Sequence, residues 1–86
     1  MKVQNFIGVN GRAIPNQFII DTDNARIFQS YDTIIAKREN DQLVLDNGAL
    51  NYSRTTSKYL YLFLNMNRKA IEHDIKSGKI LLKNLN

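Results

Sequence analysis

The chain has 86 residues, no cysteine, a single proline and a formal net charge of +4. This length supports one modest hydrophobic core and leaves no room for a second domain or a deep enclosed cleft. The lack of cysteine excludes disulfides, thiol catalysis and thiolate metal sites. No apolar run approaches the roughly 20 residues of a membrane-spanning helix. We therefore expect one small domain, held together by packing alone, in the reducing cytoplasm of a cell.

The charge is divided unevenly along the chain. Residues 1–46 contain five Lys/Arg and six Asp/Glu, which sum to −1. Residues 47–86 contain seven Lys/Arg and two Asp/Glu, which sum to +5. A basic surface attracts anions such as nucleic acid, an acidic protein or a membrane face.

The first half alternates strand-like segments with turn signals. The Asn10-Gly11 pair tolerates the positive φ angles of a type I′ turn, and the Glu39–Asp41 segment suits the polar loop of a hairpin. We expect strands over Val3–Val9, Gln17–Ile20, Ala25–Tyr31, Thr33–Arg38 and Gln42–Asp46.

The second half begins with a pattern typical of an amphipathic helix. Ser53 is a suitable N-cap, with Thr55 and Thr56 as competitors for that position. The apolar side chains that follow recur at helical spacing, which predicts a helix over Arg54–Leu64. The six-residue apolar run Tyr59–Leu64 would also suit a buried strand, so this alternative stays open.

A second helix is indicated between two capping residues. Asn67 is a good N-cap, and Gly78 stands where a left-handed C-cap belongs. The segment Ile80–Lys83 then predicts a last short strand or a docked tail. The expected fold is α+β: a small antiparallel sheet from residues 3–46 packed on two C-terminal helices.

Nothing in the sequence has the spacing of a catalytic or metal site. His73 is the only histidine, and its acidic neighbours on a helix point about 100° away from it. The acidic segment Asp21–Asn24 lacks the later glycine and glutamate of an EF-hand loop. We expect no enzyme activity, no cofactor, no metal and no small-molecule substrate.

Basic and aromatic side chains interleave around the first predicted helix. Aromatic rings can stack on bases while neighbouring cations meet phosphates, and a helix start with Arg54 and Lys58 beside it can hold a phosphate. Packing of Tyr59 and Phe63 in the core is the competing explanation for the aromatic residues. The candidate binding residues are Arg54, Lys58, Tyr61, Arg68, Lys69, Lys76, Lys79 and Lys83.

Four stretches together carry a resemblance to a known group of proteins: residues 10–20, 28–37, 52–64 and 75–86. In order and spacing they resemble an uncharacterised family of small proteins encoded by phages and mobile elements of Gram-positive bacteria. The resemblance implies a setting in the cytoplasm of a bacterial host. It supplies no catalytic or binding residues.

Two functions follow from these observations. The first is a nucleic-acid-binding accessory protein whose basic C-terminal half contacts phosphates. The alternative is a host-directed inhibitor, such as an anti-CRISPR protein, that contacts a host protein or ribonucleoprotein. A DNA mimic would be acidic, so a +4 chain would have to inhibit differently. Neither function requires a membrane partner, and we favour the first.

Overall fold

The computed structural model describes residues 1–86 as a six-stranded sheet with two helices on one face. The strands are β1 (Lys2–Ile7), β2 (Ala13–Asp21), β3 (Ala25–Ser30), β4 (Thr33–Glu39), β5 (Gln42–Asp46) and β6 (Ile80–Lys83). The helices are α1 (Arg54–Leu64) and α2 (Arg68–Ser77), and a 3-10 turn at Ala49–Asn51 precedes α1. The predicted α+β architecture and the final short strand are confirmed. Neither helix combines the length and hydropathy that a membrane span needs.

The strands lie side by side in chain order from β1 to β6. The first four pairings are antiparallel, and only β5 and β6 run parallel. A parallel pairing requires a long crossover between the two strands. The two helices form that crossover, so they connect the last two strands and also cover one face of the sheet.

Local capping decides the helix boundaries. The Ser53 side chain accepts a hydrogen bond from the Thr56 N–H at 3.2 Å, and the Asn67 side chain accepts one from the Ala70 N–H at 2.8 Å. Asn65 and Gly78 end the two helices with φ angles of 55° and 85°. The helix over residues 54–64 is therefore confirmed over the alternative strand, as are both predicted N-caps and the Gly78 C-cap.

The predicted hairpin with a polar loop around Glu39–Asp41 is confirmed, whereas the turn between the first two strands differs from the prediction. A two-residue hairpin loop with both φ angles positive occurs at Asn40 (51°) and Asp41 (63°), between β4 and β5. The type I′ expectation at Asn10-Gly11 was wrong, because only Gly11 has a positive φ there (79°). The β1–β2 loop is instead closed by the Gly8 N–H, which donates to the Arg12 carbonyl at 2.8 Å. Strand β1 consequently ends at Ile7 and not at Val9.

Strand β2 begins four residues earlier than predicted and includes Pro15. The pairing of β2 with β3 starts only at Gln17 opposite Ser30. Pro15 therefore lies beyond the end of β3 and between Ala13 and Phe18, where the β1–β2 register shifts. A proline is tolerated at such an irregularity.

The core lies between the helices and one face of the sheet. Helix α1 contributes Tyr59, Leu60 and Leu64, and α2 contributes Ile71. The fully buried Phe28 ring lies edge-on to Phe6 and stacks on Phe63, with ring centres 5.9 and 5.8 Å apart. The remaining core residues are Ile19, Ile35, Ala36, Leu45, Ala49 and Ile80.

Candidate functional site

An open groove of about 1000 Å³ runs along the exposed side of α1. The β1–β2 loop forms one wall, α1 forms the other, and the α1–α2 connection closes one end. Half-buried Ile14, Leu50 and Met66 lie among its apolar lining. We refer to this feature as the α1 groove.

Helical periodicity explains which side chains α1 presents to the groove. Its buried residues, Thr56, Tyr59, Leu60 and Leu64, face the sheet. The groove is lined by Arg54, Lys58, Tyr61 and Asn65, which recur every three or four residues, and by Leu62, which follows Tyr61 directly. Residues at this spacing share one side of a helix, so the groove lining follows from the same periodicity as the core.

Two cations in this stripe have no carboxylate partner. Arg54 and Lys58 lie one turn apart on the groove side of α1, and neither forms a salt bridge. Like charges at this spacing destabilise a helix, and positive charge near a helix N-terminus opposes the helix dipole. The Lys58 Nζ lies 5.5 Å from the centre of the Tyr59 ring. The fold therefore leaves two positive charges beside the groove without an internal counterion.

The third cation of the groove is held in place. Arg68 Nε lies 3.5 Å from Glu72 Oε1, one turn along α2, and Arg68 Nη1 donates to the Leu50 carbonyl at 3.4 Å. The Glu72 partner neutralises part of its charge. Arg68 is thus a positioned hydrogen-bond donor at the groove end, while Arg54 and Lys58 carry the net positive charge.

Two tyrosines add aromatic surface to the groove. Tyr61 is half-buried against the core, and Tyr52 is 39% exposed. The Tyr52 hydroxyl donates to Asp46 Oδ2 at 3.1 Å, which fixes the ring at the groove wall. Burial, followed by the hydrogen bond and charge of Asp46, raises the pKa of Tyr52. The hydroxyl therefore stays protonated and continues to donate at neutral pH.

The structure separates the eight predicted binding residues into two sets. Arg54, Lys58, Tyr61 and Arg68 line the α1 groove. The others are exposed along α2 and β6 and do not line it: Lys69, Lys76, Lys79 and Lys83.

Several residues of this region could not be recognised from the sequence. Val9 and Leu62 are exposed apolar groove residues. A second hollow of about 340 Å³ lies beside α1, shares Leu62 with the groove and includes Arg26 and Arg38. These two arginines are directly opposite on β3 and β4. The register of the β3–β4 hairpin would predict that they lie opposite each other. The first half of the chain is nearly neutral overall, however, so its charge does not single them out.

The arrangement suits binding of an anionic ligand with an apolar or aromatic part. No three His, Asp or Glu side chains come together as metal ligands do, and His73 is exposed on α2. Cations flank an apolar floor beside two tyrosine rings. Such a surface can hold a phosphate next to a flat ring.

Comparison with known proteins gives one result. Residues 1–80 match the sequence profile of a protein family described as DUF8033. The chain belongs to this family of unknown function. The match to DUF8033 spans the whole α1 groove. No curated protein and no solved structure matches this DUF8033 chain.

Proposed function

We propose that the protein binds single-stranded nucleic acid through the α1 groove. The observation that carries this proposal is the pair of uncompensated cations, Arg54 and Lys58, beside Tyr61 on one side of α1. Phosphates would neutralise the cations, and exposed bases would cover the tyrosine rings and the apolar floor.

A single strand fits this surface better than a duplex does. In a duplex the base faces are stacked within the helix, so only phosphates and groove edges are accessible to a small protein. The groove offers both charge and apolar aromatic area, and single-strand binders use that combination. The proposal places the protein with the cytoplasmic nucleic acid of a bacterial host, in the phage or mobile-element setting that the sequence resemblance implies.

The first test measures affinity against salt. Contacts from Arg54 and Lys58 would release about two counterions, and each contributes about 0.7 to the log–log slope for single strands. We expect a slope of about −1.4 in fluorescence-anisotropy titrations of labelled oligonucleotides. An absence of binding even at low salt would eliminate the proposal and favour the inhibitor that acts by protein contact.

The second test locates the site by matched charge reversals. The Arg54→Glu/Lys58→Glu variant should lose most of the binding. The Lys79→Glu/Lys83→Glu variant has the same net charge and reverses two exposed lysines outside the groove, so it should retain most of it. Equal losses would show that binding depends on overall charge and not on the groove.

A third variant tests the stacking contact. Replacing a stacked aromatic residue with alanine removes about 1–3 kcal/mol per base, so Tyr61→Ala should weaken binding about tenfold or more. Tyr61→Phe keeps the ring and should bind nearly as well as the wild type. Because Tyr61 also packs against the core, thermal melts must accompany the titrations. Equal affinities of the alanine and phenylalanine variants would rule out stacking on this ring.

A further inference from the structure

The sheet has a second apolar face that no helix covers. Residues alternate between the two faces of a strand, and the side opposite the helices carries one continuous cross-strand row through all six strands. In order from β1 to β6 the row is Val3, Ile20, Ile27, Lys37, Val44 and Leu81. Phe18 and Ile34 lie beside it on the same face, and we call these eight residues the outer sheet face. The same register places polar side chains among and around them, including Asn5, Gln29, Glu39 and Lys83.

The composition of this face is unusual for a solvated surface. An antiparallel sheet with one buried face normally places polar residues on the other. Here seven of these eight residues are apolar, and none of the seven belongs to the cluster packed under the helices. Val44 is nevertheless only 5% exposed in the single chain. Val3 is 55% exposed and Leu81 36%. Contiguous apolar surface of this kind marks an interaction site.

The charges on the face are balanced and self-complementary. Lys37 Nζ lies 3.8 Å from Glu39 Oε1, two residues further along β4 on the same face. In a two-fold symmetric pair of chains, each patch meets its own copy. Lys37 of one copy can therefore approach Glu39 of the other. Although the chain carries +4 overall, this pair contributes no net charge that would oppose self-association.

The area of the outer sheet face indicates how strong an association through it can be. Six strands spaced about 4.8 Å apart and about six residues long cover on the order of 500 Å² in projection. Stable interfaces bury about 800 Å² per partner, and weak or transient ones bury less. Two such sheets can pack about 10 Å apart, as in a β-sandwich.

We propose that two copies of this chain associate through their outer sheet faces as a weak, reversible homodimer. The occupant of the face is thus a second copy, which covers the apolar rows and exchanges the Lys37–Glu39 pairing. Because its area is below that of stable interfaces, the dimer belongs to the weak, transient class. This inference does not depend on the nucleic-acid proposal, because the helices and the α1 groove lie on the other side of the sheet.

Sedimentation velocity across a wide range of protein concentration tests the proposal. We expect the wild-type chain to shift from monomer to dimer as its concentration rises. Lys37→Glu and Glu39→Lys should each weaken self-association at least about tenfold, because each places like charges opposite one another. Lys69→Glu makes the same charge change on exposed α2 and should dimerise as the wild type does.

Mixing the two variants makes the test specific to this face. A Lys37→Glu chain and a Glu39→Lys chain are complementary, so the mixture should regain dimers that neither variant forms alone. Regained dimers also show that both variants are folded. A wild-type chain that stays monomeric throughout would overturn the proposal and point to a different protein as the occupant. Dimers unaffected by either reversal, or no regain on mixing, would overturn it in favour of another dimer surface.

Discussion

At the scale of single residues, Asp46 is the only charged side chain that the fold buries. Its Oδ1 accepts hydrogen bonds from the Leu85 N–H at 3.0 Å and the Asn86 side chain at 3.2 Å. Its Oδ2 accepts from the Gly48 N–H at 3.3 Å and the Tyr52 hydroxyl at 3.1 Å. One carboxylate thus fixes the C-terminal tail and a wall of the α1 groove together.

These contacts predict how stability depends on pH. The Leu85 N–H is the main cause that lowers the pKa of Asp46 below its ordinary 3.8, although burial opposes it. A lowered folded-state pKa means that the stabilisation is complete above the ordinary value and is lost as the pH falls through the folded-state value. The advantage of the wild type over Asp46→Asn in free energy of unfolding should therefore shrink below about pH 4. Urea titrations from neutral to acidic pH measure it, and a pH-independent difference would contradict the prediction.

Gln17, in contrast to Asp46, has a buried polar atom without a hydrogen-bond partner. The side chain is 1% exposed, and its Oε1 accepts no hydrogen bond within the protein. A buried unsatisfied acceptor costs about 1–3 kcal/mol. Gln17→Met keeps the length and removes the acceptor, so it should raise the melting temperature. A lower melting temperature in calorimetry would show that the amide has a role which its contacts do not reveal.

At the scale of elements, the helices could be predicted from sequence and the sheet only in outline. Ser53, Asn67 and Gly78 act on backbone groups within four residues of themselves, so local sequence determines both helix boundaries. The position of Pro15 within β2 depends on how β1 and β3 pair on either side of it. That pairing is long-range. Local sequence signals therefore predict the end of β1 too late, at Val9, and the start of β2 too late, at Gln17.

The C-cap of α2 allows a direct test of this local control. Gly78 has a φ of 85°, and a β-carbon there would meet no atom within 4 Å. Any effect of Gly78→Ala is therefore conformational, and a loss of about 1 kcal/mol is expected. For a domain of this size the melting temperature should fall by about 4–8 °C.

Gly48 is the matched control for that substitution. Its φ is −96°, and an added β-carbon would lie 3.6 Å from the Tyr52 hydroxyl oxygen, an ordinary contact. Gly48→Ala should leave the melting temperature nearly unchanged. Equal losses from the two substitutions would show that the loss at Gly78 does not come from the left-handed cap.

The α1 groove shows the same division between local and distant information. Arg54, Lys58 and Tyr61 share one side of α1, so their proximity could be predicted from helical spacing. Val9 reaches the same groove from the β1–β2 loop, about 50 residues away in sequence. No local pattern reports that approach, and an exposed valine in a loop carries no signal of its own.

At the scale of the whole molecule, charge and apolar surface are separated. The helices carry four cations without a salt bridge, Arg54, Lys58, Lys69 and Lys76, while the outer sheet face carries the Lys37–Glu39 pair among apolar residues. The charge asymmetry of the sequence pointed to the first surface. The second was hidden, because sequence alternation alone does not say which face of a sheet the helices cover.

If both proposals hold, the dimer presents two grooves on opposite outer sides. A strand long enough to reach both would bind the second groove at a high effective concentration, which raises affinity without any new contact. The ratio of the affinities for long and short oligonucleotides should therefore be at least about tenfold larger for the wild type than for the Lys37→Glu variant. The Lys69→Glu variant carries the same charge change as Lys37→Glu but keeps the dimer. These two variants should therefore bind a short oligonucleotide with similar affinity. Anisotropy titrations of the wild type, Lys37→Glu and Lys69→Glu with a short and a long strand measure all of these affinities. An equal length preference in the two variants would show that the grooves act independently, even in a protein that dimerises.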